Sequence, residues 1–350
     1  MSSTGFDRWS LAHALSATLA AAPIVACHDL EARSPGPGEP AVVRIASGVA
    51  GLQVALHHEA ATAEGPGTAR APVLFVHGAT FPTELAAGYR FDGVSWMDDL
   101  ASQGFDVWGL DFLGYGHSDR YPEMRDPADA HPPLGRADVA SLQIAAAVEH
   151  IRSARQVPRV SVVAHSWGTI AAGRYAAEHA GQIDRLVLFG PVALRTGPAE
   201  PATAPAWSLV TEAAQRARFY GYVPDGQPPV MAARHFAAWG PAYLATDPTA
   251  SSRTPASVLV PGGPAANIDD AWSGRLAYDP ARISAPTLII RGAWDVVTSD
   301  ADARWLYDAL TAAPVKRDVT IDRGTHVMHL ENRRRQLYRE VSGFLAEDDR

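Results

Sequence analysis

The sequence predicts an α/β fold in which helices cover both faces of a mostly parallel central sheet. Short runs of almost continuously apolar residues recur along the chain, and segments of helical length separate them. Strands that are buried on both faces of a parallel sheet have this apolar pattern, because their connecting helices cover both faces. The predicted strands are residues 72–76, 105–110, 160–164, 186–189 and 287–290, and the predicted helices between them are residues 96–103, 138–152 and 169–179.

The two ends of the predicted sheet differ from its centre. Residues 41–56 alternate apolar residues with small or polar ones, which predicts a leading hairpin of half-buried strands. Near the other end, residues 301–311 have the length of a helix and residues 318–321 have the composition of a strand. We therefore expect the core to comprise residues 41–192 and 283–350.

A long insertion interrupts the alternation between residues 193 and 282. Nearly 90 residues separate two buried strands there, far more than a connection between a strand and a helix usually needs. Residues 206–220 and 230–244 are long enough for helices, so we expect a helical lid over the carboxyl edge of the sheet. Its aromatic residues either form the core of the lid itself or line a substrate pocket. The candidates for substrate binding are Trp207, Phe219, Trp239 and Tyr243.

Composition argues against several kinds of partner and site. The chain has 350 residues, a formal net charge of −8 and no run of Lys and Arg, so we do not expect it to bind nucleic acid. Its single cysteine, Cys27, rules out an internal disulfide and any metal site built from several cysteines. The sequence also lacks an H-E-x-x-H motif, and we predict neither a metal nor a cofactor. It does not indicate an oligomeric state.

The first 40 residues are predicted to be a leader and a linker. Residues 11–26 form a run of 16 residues without Asp, Glu, Lys or Arg, which is shorter than the roughly 20 residues that cross a bilayer. Together with Cys27 the run resembles a bacterial lipoprotein signal, in which the cysteine is acylated, and the Pro- and Gly-rich residues 34–40 would form a tether. The alternative is an N-terminal helix that packs on the domain. The first interpretation places the protein in the cell envelope or outside the cell, and the second leaves it in the cytoplasm.

Residues 160–168 meet the requirements for an exposed and activated serine. A serine hydroxyl is a poor nucleophile at neutral pH, so it needs a base and a third group that orients the base. Ala164-His165-Ser166-Trp167-Gly168 directly follows a predicted strand and precedes a predicted helix. This segment resembles the nucleophile elbow of the α/β-hydrolase superfamily, in its esterase- and lipase-like members with a serine nucleophile. Ala164 departs from the pattern G-x-S-x-G, and its methyl group requires a slightly wider separation of strand and helix.

The resemblance implies that an acid and then a histidine follow Ser166 along the chain. Asp295 lies just beyond a predicted strand and is the expected acid, with Asp300 as its nearest rival. His326 follows the next predicted strand and is the expected base. His329 competes with it from a position three residues later, where we expect the next helix turn.

The resemblance also implies two backbone N–H groups that stabilise an oxyanion, those of Trp167 and Ala79. Ala79 belongs to His77-Gly78-Ala79, which is similar to the H-G loop of the superfamily, and His77 is expected to support that loop. Residues 111–118 resemble the superfamily's D-x-x-G-x-G-x-S loop. They do not match a dinucleotide motif, because position 119 is Asp where G-x-G-x-x-G requires glycine.

These motifs together imply a serine hydrolase that cleaves a carboxylic ester, lactone or thioester through an acyl-enzyme on Ser166. Serine at the elbow argues against relatives that open epoxides or haloalkanes, because those use aspartate to form an alkyl ester. The expected partner is a small-molecule acyl substrate. Three alternatives stay open: a hydrolase of carbon–carbon bonds, a peptidase, and a binding module that kept the fold without turnover. The loop His77-Gly78-Ala79-Thr80 lacks the H-G-G-P sequence of proline-type peptidases, which weakens the peptidase interpretation.

Overall fold

An eight-stranded sheet forms the centre of the computed structural model, which describes residues 41–62, 70–196 and 204–347. The leader, the tether and the proposed acylation of Cys27 lie outside these residues. The strands of the chain are β1 (Ala41–Ala46), β2 (Gln53–Glu59), β3 (Val73–Val76), β4 (Val107–Asp111), β5 (Val160–His165), β6 (Ile183–Phe189), β7 (Trp207–Thr211), β8 (Ser257–Pro261), β9 (Thr287–Gly292) and β10 (Lys316–Ile321).

The strand order of the large sheet is β1-β2-β4-β3-β5-β6-β9-β10. From β4 to β10 every neighbouring pair is parallel, whereas β2 pairs antiparallel with both β1 and β4. The predicted parallel sheet and its leading hairpin are both confirmed. Every residue of β3, β4, β5 and β9 is buried, which accounts for their continuous apolar sequences.

Eight α-helices lie in the described part of the chain. Helix α2 packs on α3, and α1 packs on α8. Serine N-caps begin two of the helices, since Ser95 and Ser299 each form a capping box with the aspartate three residues later. The helices are α1 (Trp96–Ser102), α2 (Ala137–Arg155), α3 (Gly168–Glu178), α4 (Glu212–Gly221), α5 (Ala233–Ala245), α6 (Gly263–Trp272), α7 (Asp300–Ala309) and α8 (Arg334–Leu345).

The sequence predicted that the insertion of residues 193–282 is helical, but the structure shows that it also contains two strands. The segment expected to be one helix from residue 206 to 220 begins instead as β7, which pairs antiparallel with β8. The helix α4 then starts after Thr211, whose side chain accepts a hydrogen bond from the backbone N–H of Ala214 at 3.0 Å. The second expected helix is present as α5, and α6 is a third.

The parallel strands bring the residues singled out from the sequence to one edge of the sheet. Carboxyl ends of neighbouring parallel strands meet at the same edge, where ligands bind in folds of this kind. Four of the relevant strands, β3, β5, β9 and β10, are followed by loops that carry His77, Ser166, Asp295 and His326. The fold therefore gathers these side chains although as many as 160 residues separate Ser166 from His326.

Candidate active site

Ser166 occupies a strained turn between β5 and α3. Its φ angle is +55°, in the left-handed region that non-glycine residues rarely adopt. The turn is fixed by a hydrogen bond of 2.9 Å from the Ser166 N–H to the carbonyl oxygen of Phe189, the last residue of β6. Ala164 is fully buried in β5, so the methyl group that departs from the superfamily pattern is accommodated. This is the strand, turn and helix geometry expected of an elbow.

The structure brings Ser166, His326 and Asp295 into one line of hydrogen bonds. Ser166 Oγ lies 2.7 Å from His326 Nε2, and His326 Nδ1 lies 2.9 Å from Asp295 Oδ2. The other carboxylate oxygen of Asp295 accepts the backbone N–H groups of Val297 and Thr298 at 2.8 and 3.0 Å. Because Nδ1–H donates to the carboxylate, Nε2 is left to accept the serine proton. The arrangement can therefore activate Ser166 as a nucleophile.

The rival acid and base are placed elsewhere. The side chain of Asp300 is 92% exposed and pairs with Arg291 at 2.7 Å. His329 lies in a 3₁₀ turn rather than in the next helix turn, and its buried ring contacts His165 and Phe81. Neither ring nitrogen of His329 has a hydrogen-bond partner among the described residues. Burial, with a smaller contribution from His326, lowers its pKa to about 3, so the ring is neutral at physiological pH.

Gly190 makes room for the line of hydrogen bonds, and the sequence analysis did not single it out. It follows β6 with a φ of +54°. A Cβ atom at this position would lie 3.1 Å from Asp295 Oδ2 and 3.1 Å from His326 Nδ1. Both the backbone conformation and the close approach therefore favour glycine. In the sequence, Gly190-Pro191 directly follows the predicted strand of residues 186–189, but the contact of Gly190 with the two side chains depends on the folded chain.

Two further side chains that the sequence analysis missed hold the loop of His326. His165 Nε2 donates a hydrogen bond of 2.8 Å to the carbonyl oxygen of His326. Buried Glu331 accepts a bond of 3.1 Å from the N–H of Thr325 and a second, shorter one from the Thr325 hydroxyl. Burial raises the pKa of Glu331 to about 7, and the carboxylate of Asp295 adds to this effect. These bonds hold the loop after β10 at Thr325 and His326, and so fix the position of the His326 ring.

The loop after β3, residues 77–82, passes close to the nucleophile. A Cβ atom on Gly78 would lie 2.9 Å from the Cβ of Ser166, so only glycine permits this approach. His77 supports the loop, because its Nδ1 donates to the Gly78 carbonyl at 2.6 Å and its Nε2 accepts the Phe112 N–H at 3.1 Å. Within the described residues, the backbone N–H groups of Ala79 and Trp167 donate to no protein acceptor. Neither N–H group is therefore taken up by a hydrogen bond within the described part of the fold.

The loop that could be mistaken for a nucleotide motif is organised around a buried carboxylate. Asp111 accepts hydrogen bonds from His57 Nε2 at 2.8 Å and from the backbone N–H groups of Thr83 and His117 at 2.9 and 3.0 Å. Although burial alone would raise the pKa of Asp111, His57 and these hydrogen bonds hold it well below its usual range. The carboxylate thus fixes the β3 loop and the β4 loop to one another.

The four aromatic candidates for substrate binding are mainly in contact with other parts of the protein. The rings of Phe219, Trp239 and Tyr243 are almost completely buried, and the Trp239 and Tyr243 rings stack with centroids 5.2 Å apart. Trp207 is half-buried, and its Nε1 donates to the Asp126 carbonyl at 3.0 Å. Tyr222, which the sequence analysis did not select, has its ring centroid 6.5 Å from that of His326. Of these residues, it is the one in ring contact with the three-residue line.

The described residues contain neither a cluster suited to a metal ion nor a helix suited to a bilayer. Within residues 41–62, 70–196 and 204–347, no three His, Cys, Asp or Glu side chains are grouped so that they could hold a metal ion. In the same part of the chain, no helix combines the length and the apolar character needed to cross a bilayer.

Comparisons with known proteins point to one family. A sequence profile for the alpha/beta hydrolase fold matches residues 71–333. Similar solved structures include the enol-lactonase from Burkholderia xenovorans LB400, with 18% identity, coverage of 86% of this chain and 99% of that chain, and a TM-score of 0.52. The thioesterase domain from the curacin biosynthetic pathway has 14% identity, coverage of 88% and 99%, and a TM-score of 0.57. Epoxide hydrolase from Vigna radiata has 15% identity, coverage of 89% and 99%, and a TM-score of 0.54. No curated protein is similar enough in sequence to match.

Proposed function

The chain belongs to the α/β-hydrolase family, and from that premise we propose that it is a serine hydrolase that cleaves carboxylic ester-like bonds through an acyl-enzyme on Ser166. The observation that carries this proposal is the line of hydrogen bonds from Ser166 Oγ through His326 to Asp295, with distances of 2.7 and 2.9 Å. Ser166 itself is not completely enclosed, since it retains 7% of its accessible surface.

In the proposed reaction, Ser166 Oγ attacks the substrate carbonyl carbon while His326 Nε2 takes its proton. Asp295 holds the ring of His326 and stabilises the imidazolium that forms. The N–H groups of Ala79 and Trp167 donate to the oxyanion of the tetrahedral intermediate. Collapse of that intermediate transfers the proton to the leaving group. Water, deprotonated by His326, then hydrolyses the acyl-enzyme and restores the free serine.

Proteins with related folds act on several classes of substrate, and the chemistry of a serine nucleophile suits only some of these classes. Attack of a serine hydroxyl on a carbonyl carbon gives an ester, which water can hydrolyse by the same route. Attack on an epoxide carbon would give an ether, which the site has no means to cleave. Esters, lactones and thioesters therefore fit Ser166, whereas epoxides do not, although an epoxide hydrolase shares the fold.

Covalent labelling with a fluorophosphonate tests the proposal. We expect the intact mass of the wild-type protein to increase by one adduct, peptide mapping to place the adduct on Ser166, and S166A to remain unlabelled. D295N should slow labelling and ester hydrolysis by up to about 10⁴-fold, whereas D300N, the matched carboxylate that pairs with Arg291, should leave both unchanged. A folded wild-type protein that neither labels nor hydrolyses a panel of esters, lactones and thioesters would favour a binding module instead.

A further inference from the structure

Thr80 is held in an unfavourable backbone conformation directly after Ala79. Its φ angle is +84°, and it is the only β-branched residue among the five non-glycine residues with positive φ in the described part of the chain. A β-branched residue in this region is a genuine outlier, and a conformation of this kind persists only where its surroundings hold it. Something in the surroundings must therefore hold the loop in this shape.

Arg218 from the insertion makes a direct contact that can do this. Its Nη1 donates a hydrogen bond of 2.8 Å to Thr80 Oγ1 and a longer one of 3.2 Å to Oε1 of Gln215. Gln215 is fully buried one turn earlier on α4, so it fixes the guanidinium. Among the described residues Arg218 has no carboxylate partner. Its bond to the Thr80 hydroxyl has a charged donor, and such bonds are stronger than those between neutral groups.

A second contact follows directly along both segments, because Phe219, next to Arg218, packs against Phe81, next to Thr80. The ring of Phe219 meets that of Phe81 edge-on with centroids 6.2 Å apart, and Trp239 from α5 meets Phe81 at 5.3 Å. Trp239 Nε1 also donates to the carbonyl oxygen of Leu85 at 3.0 Å, a few residues further along the chain. Helices α4 and α5 therefore hold two consecutive residues of the β3 loop, one by a polar contact and one by apolar contacts.

We propose that Arg218 is a positioning residue, which acts through Thr80 to hold the β3 loop where the Ala79 N–H can donate to the oxyanion. This inference rests on the proposed function, since it assigns the Ala79 N–H to that reaction. On this proposal the insertion takes part in the chemical step, because the Ala79 N–H is correctly placed only when α4 is packed against the β3 loop. Without the bond from Arg218, Thr80 can relax toward negative φ while Phe81 stays packed, and the accompanying rotation of the Ala79–Thr80 peptide would displace Ala79 and its N–H relative to Ser166.

A double-mutant cycle tests the coupling. R218M and T80V each remove the bond, and each should lower kcat for ester hydrolysis about tenfold or more with KM within about threefold. The double variant should be no slower than the slower single variant, because both changes break one interaction. T80S keeps the hydroxyl and should stay close to wild type. The control is R216M on the same helix, since the exposed Arg216 lies over Tyr220 and Phe236 and should leave kcat unchanged.

Glycine at position 80 provides a second measurement that also covers misfolding of T80V. Because glycine adopts positive φ without strain, R218M should slow T80G much less than it slows the wild type. Hydrogen exchange of the amides of residues 78–81 should accelerate in R218M and not in R216M, whether or not the protein turns over substrate. An inert wild-type Ser166 would refute the proposed function alone. The positioning role is wrong if R218M keeps wild-type kcat, if it slows T80G and the wild type equally, or if loop exchange does not change.

Discussion

Replacement of Gly190 by alanine tests the line of hydrogen bonds among Ser166, His326 and Asp295 by the addition of one methyl group. The added Cβ would lie 3.1 Å from Asp295 Oδ2 and from both Cε1 and Nδ1 of His326, which is closer than ordinary van der Waals contact. Both side chains are buried and hydrogen-bonded to each other, so they cannot retreat independently. We expect the ring of His326 to shift by about 0.3 to 0.5 Å. If a shift of 1 Å costs about 100-fold in rate, this displacement should lower kcat by about four- to tenfold.

Gly181 supplies the matched control, since alanine there adds the same backbone strain without a contact with Asp295 or His326. Its φ is +90°, and no atom lies within 4 Å of an added Cβ. Alanine at either position costs about 1 to 2 kcal/mol for the left-handed backbone, so both variants should have a lower Tm. Only G190A should have a lower kcat, measured on an ester substrate well below each variant's Tm. Equal kcat losses in G190A and G181A, or a wild-type kcat in G190A, would refute the argument.

Three further predictions concern the base, its loop and the insertion. H326A should lower kcat/KM by orders of magnitude, whereas H329A should keep the rate within about tenfold and lower Tm, because the buried His329 ring packs without hydrogen bonds; the reverse result would reassign the base. The raised pKa of Glu331, about 7 against an ordinary value of 4.5, means that the folded state binds the extra proton between these values. Wild-type stability should therefore fall as pH rises from about 5 to 7.5, and E331Q should remove this fall; parallel Tm curves for the two proteins would contradict the assignment. Y222A should change the ranking of kcat/KM over a series of acyl-chain esters by roughly 1 to 3 kcal/mol, while W239A should keep that ranking, although it should lower Tm and, because Trp239 holds Phe81 of the β3 loop, also kcat for every ester; an unchanged ranking in Y222A would leave the pocket walls to other residues.

The sequence predicted the parts of the fold that depend on local patterns. Strands such as β5 are continuous apolar runs, and Ser166 follows one of them in a short segment whose strand, turn and helix are adjacent. The order of Ser166, Asp295 and His326 came from the resemblance to a family. That order left Asp300 and His329 as rivals of the expected acid and base, and the structure places His326 Nδ1 2.9 Å from Asp295 Oδ2 and His326 Nε2 2.7 Å from Ser166 Oγ.

The missed features depend on contacts between residues far apart in the chain. Residues 206–220 together have the length of a helix, and α4 does occupy the second part of this segment. Residues 207–211 form a strand instead, because β8, about 50 residues later, pairs with them. The N-cap at Thr211 was a readable local signal for the true start of α4. Gly190, His165 and Glu331 gave no such signal, since their roles consist of contacts with Asp295, His326 and Thr325 that exist only after folding.

The contacts of the insertion indicate whether it affects only substrate preference or also the rate of the chemical step. A lid that only lined a pocket would alter preference and leave acyl transfer unchanged. Here Phe219 and Trp239 are buried against Phe81, and Arg218 bonds to Thr80, so α4 and α5 contact the same loop that carries the Ala79 N–H. The hydrogen-bonded residues Ser166, Asp295 and His326, in contrast, lie on loops after β5, β9 and β10. Variants of Arg218 and Phe219, the α4 residues that contact this loop, should therefore affect stabilisation of the oxyanion as well as substrate preference, while the hydrogen bond between His326 and Asp295 stays intact.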